Sequence, residues 1–422
     1  MEEDIHTTIK ERQIIKDKLV ETKLENAVKQ AQEILDFESA HDIEMIHALN
    51  IVKNFIIKKK RVCYGGTAMN ALLPKKDKFY DPNFNLPDYD FLTPNLETDI
   101  KELVNDLENA GFKDVYNKVG VHKGTKKVLV NYVPIADLTY VDNEVYQTFL
   151  KESKVIDKLH YTNEHMLRMM MYLELSRPRG EVERWKKVYE RLNLINDNFT
   201  FVTCKKKHFL KEIPFETRKN ILDFIIQRQR ILINLETEGV YKQSLTNKNV
   251  IYSLRKGGAL YFYSQDIKRD AYDLKQILGL SNLKIMYYSK KSDYLPERIR
   301  LVYNNKTIAV IIYENACISY NSVKTEDNRV LLIGSLETII HAHYMLFFFT
   351  RSEKSFLCKI GNCIETLDKL RKSKVSQFPS FSITCSGYQK GYPTLLREKV
   401  IRIKKEKTKK EIKKKNITIK KK

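Results

Sequence analysis

The sequence predicts an α+β protein, and three observations support this fold class. Short β-prone runs alternate with segments of helical periodicity through most of the 422 residues. Residues 61–64 are β-prone, and two glycines separate them from a helix-forming run. A weaker version of the same succession returns from about residue 252. With 42% hydrophobic residues the chain can bury a sizeable core, and its length suggests two or three domains.

The chain begins with helical segments. Residues 1–40 are charged and helix-favouring, with few Gly or Pro, and show no recognisable chemistry. Apolar residues then recur at helical spacing and stop before three lysines; they are Met45, Leu49, Val52 and Ile56. We predict that this second helix packs under the first sheet and leads into the glycine turn.

The glycine turn at Gly65 and Gly66 lies between a strand and the start of a helix that reaches Pro74. Two residues without Cβ let the backbone approach an anion, and the free amides of the helix start can bind phosphate oxygens together with the Thr67 hydroxyl. The turn therefore suits a nucleoside triphosphate. On its own, a Gly-Gly pair is usually no more than a turn.

Asp88 and Asp90 are separated by one residue in a run that we predict to be a strand. Side chains alternate faces along a strand, so both carboxylates point the same way. Such a pair repels itself unless it binds a hard divalent cation through oxygen. The alternative is that Asp-x-Asp marks a solvated strand end.

Asp137 is the candidate for a third carboxylate. It lies between Ala136 and Leu138 in a β-rich run, where burial is costly unless the carboxylate is paired or binds a metal. Two cations about 3.5–4 Å apart can activate an attacking hydroxyl and stabilise a leaving phosphate. A helix cap or half of a salt bridge is the alternative for Asp137 alone, but the three elements in this order favour a catalytic site.

The order of Gly-Gly-Thr, Asp-x-Asp and a later strand Asp resembles the DNA polymerase β-like nucleotidyltransferase superfamily over about residues 40–200. Tyr-Gly-Gly-Thr-Ala-Met-Asn at 64–70 with Leu-Pro-Asp-Tyr-Asp-Phe at 86–91 is most similar to the poly(A) polymerase catalytic subunits of large cytoplasmic DNA viruses, of the mimivirus, asfarvirus and poxvirus kind. The viral resemblance extends through residues 388–392. The loop at 75–86 is longer than the superfamily commonly shows, and we interpret it as an insertion.

The resemblance implies roles for two groups of residues. The metal ligands, for Mg²⁺ or Mn²⁺, would be Asp88, Asp90 and Asp137. The nucleotide-binding residues would be Gly65, Gly66 and Thr67, with Arg184 and Lys187 as cations from the helices that follow the sheet. For Arg184 and Lys187, a solvated helix face is an equally good interpretation.

The implied function is the addition of AMP from ATP to the 3′ end of single-stranded RNA, as in viral mRNA polyadenylation. The resemblance also implies a location in the host cytoplasm (the viral factory) or the virion, and a homodimer or a helper subunit. Two alternatives remain open: a nucleotidyltransferase with another acceptor (a tRNA end, a protein or a small molecule), and an RNA-binding or processivity module with a vestigial active site.

The net charge of +22 favours a polyanionic partner. Residues 402–422 hold twelve Lys or Arg and two Glu, so this tail carries +10 and the first 401 residues carry +12. We predict that the tail is disordered and binds RNA without reading its sequence. Tyr388 and Tyr392 flank Lys390 in a composition that suits stacking on single-stranded bases, or an ordinary loop.

The six cysteines are scattered through a chain in which we expect no signal peptide, and none has the spacing of a paired zinc motif. Reduced thiols in a cytosol are the simpler interpretation. No apolar run approaches the length needed to cross a membrane, so we expect a soluble intracellular protein.

The second lobe is predicted to be a catalytically inactive nucleotidyltransferase-like unit. Residues 308–310 read Ile-Ala-Val and echo Ile-Ala-Asp at 135–137, with Val310 at the carboxylate position. An ordinary α/β domain is the alternative. The predicted organisation is an N-terminal helical segment (1–40), a catalytic domain (41–200), a helical connector (201–249), the degenerate lobe (250–401) and the basic tail (402–422).

Overall fold

The computed structural model describes residues 2–204, 212–246, 254, 256–350 and 355–419. Two mixed β-sheets, each flanked by helices, organise these residues. This arrangement confirms the predicted α+β class.

Two helices lead into the first sheet. Helix α1 spans Glu2–Ala40 and α2 spans Ile43–Lys59. The Asp42 carboxylate accepts hydrogen bonds from the amides of Glu44 and Met45 at 2.9 and 3.1 Å and so caps α2. The apolar positions of the predicted pattern, Met45, Leu49, Val52 and Ile56, are all buried on one face of α2.

The first sheet has seven strands in the order β3-β4-β5-β2-β1-β7-β6. The strands are β1 Val62–Cys63, β2 Tyr89–Thr93, β3 Val115–Val119, β4 Thr125–Val130, β5 Val133–Tyr140, β6 Lys154–Ile156 and β7 Leu159–Tyr161. Its helices are α3 Gly65–Leu72, α4 Leu96–Asn109, α5 Asn143–Lys151, α6 Glu164–Leu175 and α7 Trp185–Asn198. A short 3₁₀ turn, Lys75–Asp77, opens the loop between α3 and β2.

The second sheet has eight strands in the order β10-β11-β12-β9-β8-β14-β13-β15. The strands are β8 Ile231–Leu232, β9 Leu260–Ser264, β10 Lys284–Tyr288, β11 Arg298–Tyr303, β12 Lys306–Tyr313, β13 Ile318–Lys324, β14 Val330–Gly334 and β15 Cys385–Ser386. The remaining helices are α8 Phe215–Gln227, α9 Glu238–Ser244, α10 Ile267–Leu278, α11 Leu336–Thr350, α12 Ser355–Lys372 and α13 Tyr392–Ile419.

Strands β8–β14 repeat the order and the directions of β1–β7. The pairs β2·β5 and β9·β12 are both parallel, and β1·β2 and β8·β9 are both antiparallel. In the first sheet Asp90 is paired in register with Asp137, and at the equivalent place Tyr261 is paired with Val310. The predicted repeat in the second lobe is therefore present, with Val310 at the position of the third carboxylate; the loss of activity in this lobe stays a prediction.

Three expectations differ from the structure. Strand β8 and helix α8 lie within 201–249, so the second lobe starts before residue 250; a two-residue strand is too short to be recognised by its pattern. Helix α13 continues to Ile419, through most of the tail predicted to be disordered, and residues 420–422 lie outside the described part.

The third difference concerns the cysteines, which were expected to be reduced. Cys204 and Cys358 form a disulfide, and so do Cys317 and Cys385, with Cα atoms 5.1 and 5.3 Å apart. Their sequence separations of 154 and 68 residues gave no sign of pairing. Within the described residues, no helix has both the length and the apolar character that a membrane span requires.

Candidate active site

Asp90 and Asp137 lie side by side on the central strands of the first sheet. Their Cα atoms are partners in the parallel pair of β2 and β5, so both side chains leave the same face of the sheet. Asp88 lies one residue before β2, and its carbonyl oxygen accepts a hydrogen bond of 3.1 Å from the Asp90 amide. The structure thus brings together the three carboxylates that the sequence singled out.

The three carboxylates repel one another. Loss of solvation raises the pKa of Asp90 to about 7, and the negative charges of Asp88 and Asp137 add to this effect. Loss of solvation also raises the pKa of Asp137, against the opposing effect of Lys127. Positive charge placed between Asp90 and Asp137 would therefore be strongly favoured.

Lys127 supplies part of that positive charge. It is the cross-strand partner of Asp137 on β4, and its ammonium group forms an ion pair with the Asp137 carboxylate. The sequence analysis did not single out Lys127. The signal was the register of the hairpin formed by β4 and β5, which places residue 127 opposite residue 137, but a bulge between Val128 and Leu129 shifts that register.

The oxygen donors of Asp88, Asp90 and Asp137 suit Mg²⁺ or Mn²⁺ in kind. In the described ranges, however, no three His, Cys, Asp or Glu side chains already converge closely enough to hold a metal ion. Lys127 donates a hydrogen bond to an oxygen of Asp137. A metal ion bound by all three carboxylates would therefore have to displace the Lys127 ammonium group.

The glycine turn lies directly beside Asp90. Helix α3 begins at Gly65 rather than at Thr67, with Tyr64 as its N-cap residue. Gly65 has φ of +70°, and a Cβ there would come within 2.9 Å of Asp90 Oδ2. Position 65 thus requires glycine both for its backbone conformation and for the approach of the carboxylate.

Two side chains lie directly above Gly66. A Cβ at Gly66 would lie 2.6 Å from the Tyr80 hydroxyl oxygen and 3.0 Å from Arg191 Nη1. Tyr80 belongs to the loop at 75–86, and Arg191 is on α7. Neither residue was among the sequence-predicted site residues.

The hydroxyl of Thr67 was predicted to bind a phosphate, but in the structure it has another partner. Its Oγ1 donates a hydrogen bond of 2.6 Å to the Asp88 carbonyl oxygen. Since a hydroxyl has a single hydrogen to donate, the Thr67 hydroxyl holds Asp88 next to the turn in this structure and has no hydrogen left for an anion.

Arg184 forms ion pairs with two glutamates. It contacts Glu181 at 2.9 Å and Glu174 at 3.5 Å, and its charge also lowers the pKa of Asp90. Glu181 in turn accepts a contact of 2.7 Å from His122 Nε2, and this hydrogen bond is the main reason that the pKa of Glu181 falls to about 2.

Lys187 is exposed and lies within electrostatic range of the site. Its pKa is lowered, first by Arg191, then by desolvation and by Arg184, whereas Asp88 acts in the opposite direction. Arg184, Lys187 and Arg191 are spaced three and four residues apart, which places them on one helix face. This spacing was the sequence signal by which Arg191 could have been found.

Comparison with known proteins identifies the same part of the chain. Residues 50–181 match a protein-family model described as the catalytic subunit of poly(A) polymerase. The matched segment contains the glycine turn, Asp88, Asp90 and Asp137. The resemblance inferred from the motifs is therefore confirmed.

Two viral relatives match about half of the chain. A candidate poly(A) polymerase catalytic subunit of Acanthamoeba polyphaga mimivirus is 29% identical over 218 residues, which are 51% of this chain and 36% of the relative. A candidate poly(A) polymerase catalytic subunit of African swine fever virus (isolate Tick/Malawi/Lil 20-1/1983) is 33% identical over 200 residues, 45% of this chain and 42% of the relative. The chain thus spans less than half the length of these curated relatives.

The likeness in three dimensions extends over nearly the whole chain. The crystal structure of the Megavirus polyadenylate synthase superposes with a TM-score of 0.75 at 20% identity, covering 93% of this chain and 83% of that chain. At this identity the likeness establishes the fold, including both sheets.

Proposed function

We propose that this chain transfers AMP from ATP to the 3′ end of single-stranded RNA. The observation that carries the proposal is the in-register placement of Asp90 and Asp137 beside the glycine turn. The match of residues 50–181 to the poly(A) polymerase catalytic-subunit model supports it independently.

In the proposed reaction, the RNA 3′-hydroxyl loses its proton to solvent and its oxygen bonds to the α-phosphorus of ATP. The bond from that phosphorus to the bridging oxygen breaks, and pyrophosphate leaves. When bound by Asp88, Asp90 and Asp137, Mg²⁺ or Mn²⁺ would supply the positive charge that favours both changes.

The remaining residues bind and orient the nucleotide. The first amides of α3, at Gly65 and Gly66, precede the first intrahelical acceptors and suit phosphate oxygens. Thr67 holds Asp88 beside them. Lys187 adds positive charge from α7. Arg184 adds positive charge near Asp90, although it is also paired with Glu181 and Glu174.

The substrates follow from charge and from likeness. A net charge of +22 favours a polyanionic acceptor such as RNA over a small molecule. The choice of adenine rests on the relatives, which are named for poly(A) synthesis. The viral relatives also support a role in viral mRNA polyadenylation; a location in the host cytoplasm or the virion stays a prediction. A homodimer or a helper subunit stays a prediction.

The test is primer extension with each of the four labelled nucleotides, an oligo(A) primer and Mg²⁺ or Mn²⁺. We expect a ladder of products with ATP. Label on a tRNA end, on a protein or on a small molecule, without extension of oligo(A), would replace RNA polyadenylation by another nucleotidyl transfer. RNA binding without any transfer would identify a vestigial site.

A further inference from the structure

The loop at residues 75–86 is an ordered part of the site. Asn70, on α3, accepts hydrogen bonds at its Oδ1 from the amides of Phe79 and Tyr80 at 2.9 and 3.0 Å. Further along, the Asp81 carboxylate accepts a hydrogen bond of 2.9 Å from the Asn83 amide. The helix that carries the glycine turn therefore also fixes the two aromatic residues of the loop.

Those two aromatic residues fix Arg191. Its guanidinium carbon lies 4.5 Å from the ring centre of Phe79 and 5.6 Å from that of Tyr80, and Nη2 donates a hydrogen bond of 3.0 Å to the Tyr80 hydroxyl. Ring contact and hydrogen bond together restrict the plane in which the guanidinium lies. In the part of the chain that the structure describes, no ion pair joins Arg191 to a carboxylate.

Arg191 and Tyr80 lie against the second glycine of the turn. A Cβ at Gly66 would be 3.0 Å from Arg191 Nη1 and 2.6 Å from the Tyr80 hydroxyl oxygen. The guanidinium donors thus lie next to the helix-start amides, whereas Arg184 is paired with Glu181 and Glu174. A planar fork of donors matches two phosphate oxygens at once.

We propose that Arg191 binds the phosphates of the incoming nucleotide and that Tyr80 is the positioning residue that fixes Arg191 above Gly66. The assignment rests on the proposed function for the identity of the nucleotide, but not for its phosphates. It gives the long loop at 75–86 a role: the loop supplies the aromatic support that orients a cation of α7.

The first test is Tyr80→Phe, which keeps the ring and removes the hydroxyl. We expect the KM for ATP to rise about tenfold, the effect of losing one hydrogen bond to a charged group, with kcat changed less than about twofold. Tyr272→Phe, at an exposed tyrosine of α10, is the matched control and should leave both constants unchanged. Equal thermal midpoints of the two variants would show that both are folded.

A second measurement does not depend on catalysis. Inorganic tripolyphosphate has no base or sugar, so its binding, followed by calorimetry, reports on the phosphate contacts alone. We expect Tyr80→Phe and Arg191→Lys to weaken its binding about tenfold or more. The exposed control Arg269→Lys on α10 should have no effect.

A double-mutant cycle tests the geometry above Gly66. Gly66→Ala places a methyl group within 2.6 Å of the Tyr80 hydroxyl oxygen, so it should displace Tyr80 and with it Arg191. We expect Gly66→Ala to weaken tripolyphosphate binding in the wild type, and to do so by a clearly smaller factor in the Tyr80→Phe background.

The outcomes separate this inference from the proposed function. If the wild type extends RNA and Tyr80→Phe behaves like Tyr272→Phe in KM and in tripolyphosphate binding, the inference is wrong. A lower KM in Tyr80→Phe would show instead that the Tyr80 hydroxyl blocks the turn. If the wild type transfers no nucleotide but tripolyphosphate binding falls as expected, the proposed function is wrong and the phosphate site stands.

Discussion

Asp90 lies between two other carboxylates and has lost much of its hydration, so its pKa is raised to about 7. A carboxyl group whose pKa is higher in the folded than in the unfolded protein favours folding only while it is protonated. The cost of ionising Asp90 is therefore absent below about pH 3.8, grows as the pH rises, and is complete above about pH 7.

Asp90→Asn should accordingly stabilise the metal-free protein at alkaline pH. With EDTA present at pH 8 we expect the free energy of unfolding to increase by roughly 1–3 kcal/mol, a value that allows for partial solvation of the site. The gain should shrink as the pH falls from 7 towards 4. Glu108→Gln, at an exposed position of α4, should give no gain, and a pH-independent effect of Asp90→Asn would contradict this account.

The ammonium group of Lys127 pairs with the Asp137 carboxylate. Lys127 therefore supplies part of the positive charge that a metal ion would bring to the site. Lys127→Met should lower the thermal midpoint in EDTA and bind Mn²⁺ more tightly than the wild type, by roughly three- to tenfold, since the competing cation is gone. Lys101→Met, exposed on α4, is the control. Weaker Mn²⁺ binding by Lys127→Met would show that Lys127 assists the ion rather than competing with it.

At the scale of elements, each lobe has an ion pair at the equivalent place, and the aspartate of each pair is buried. Arg61, just before β1, donates to Asp99 of α4 at 2.7 and 2.9 Å. Arg230, just before β8, donates to Asp270 of α10 at 2.6 and 2.9 Å. Both carboxylates are 1% exposed. The second lobe thus keeps the ion pair that joins the helix after its second strand to the start of its first strand, although Val310 stands at its carboxylate position.

Because the second lobe keeps the ion pair but not the third carboxylate, we can predict how Asp270→Asn will behave. Breaking the pair leaves the half-buried Arg230 guanidinium without its partner charge, so the free energy of unfolding should fall by roughly 2 kcal/mol, less than for Asp99→Asn, whose partner Arg61 is more deeply buried. The kcat per folded molecule should be retained in Asp270→Asn. A loss below about 1 kcal/mol by denaturant unfolding would show that the pair has no structural role in the second lobe.

The sequence predicted those parts of the site whose signal is local. Gly65 and Gly66, and the alternation of Asp88 and Asp90, can be interpreted within a few residues, and Val310 was found by comparing two short runs. Lys127 and Arg191 were missed because strand register and the course of the loop at 75–86 decide their partners. The same limit explains why Cys317 and Cys385 were not expected to pair.

At the scale of the whole molecule, the basic C-terminal helix returns to the first sheet. Arg402 Nη2 donates to the carbonyl oxygens of Gly120 and Val121 at 3.1 and 2.7 Å, and Glu406 contacts Lys126 at 3.5 Å. The loop that Arg402 holds carries His122, the partner of Glu181. Helix α13 thus places Arg402 beside the loop whose His122 contacts Glu181.

Removing residues 402–422 should weaken RNA binding and reduce its dependence on salt. Each phosphate contact adds about 0.7 to the slope for single strands, so loss of a segment with net charge +10 should lower the slope by several units. Arg402→Met removes the contacts with Gly120 and Val121 but only one charge, and should change the slope by about one unit or less. An unchanged slope after truncation would show that the segment does not contact RNA.

The central claim is that Asp88, Asp90 and Asp137 carry out the transfer of AMP while other residues bind the RNA. The most direct measurement is single-turnover extension of an oligo(A) primer by the variants Asp90→Asn and Asp137→Asn, with RNA affinity measured on the same preparations. We predict that extension falls by at least about a thousandfold in each variant, while RNA affinity stays within about twofold of the wild type. Extension that survives in either variant, or that is lost only in proportion to RNA binding, would contradict the claim.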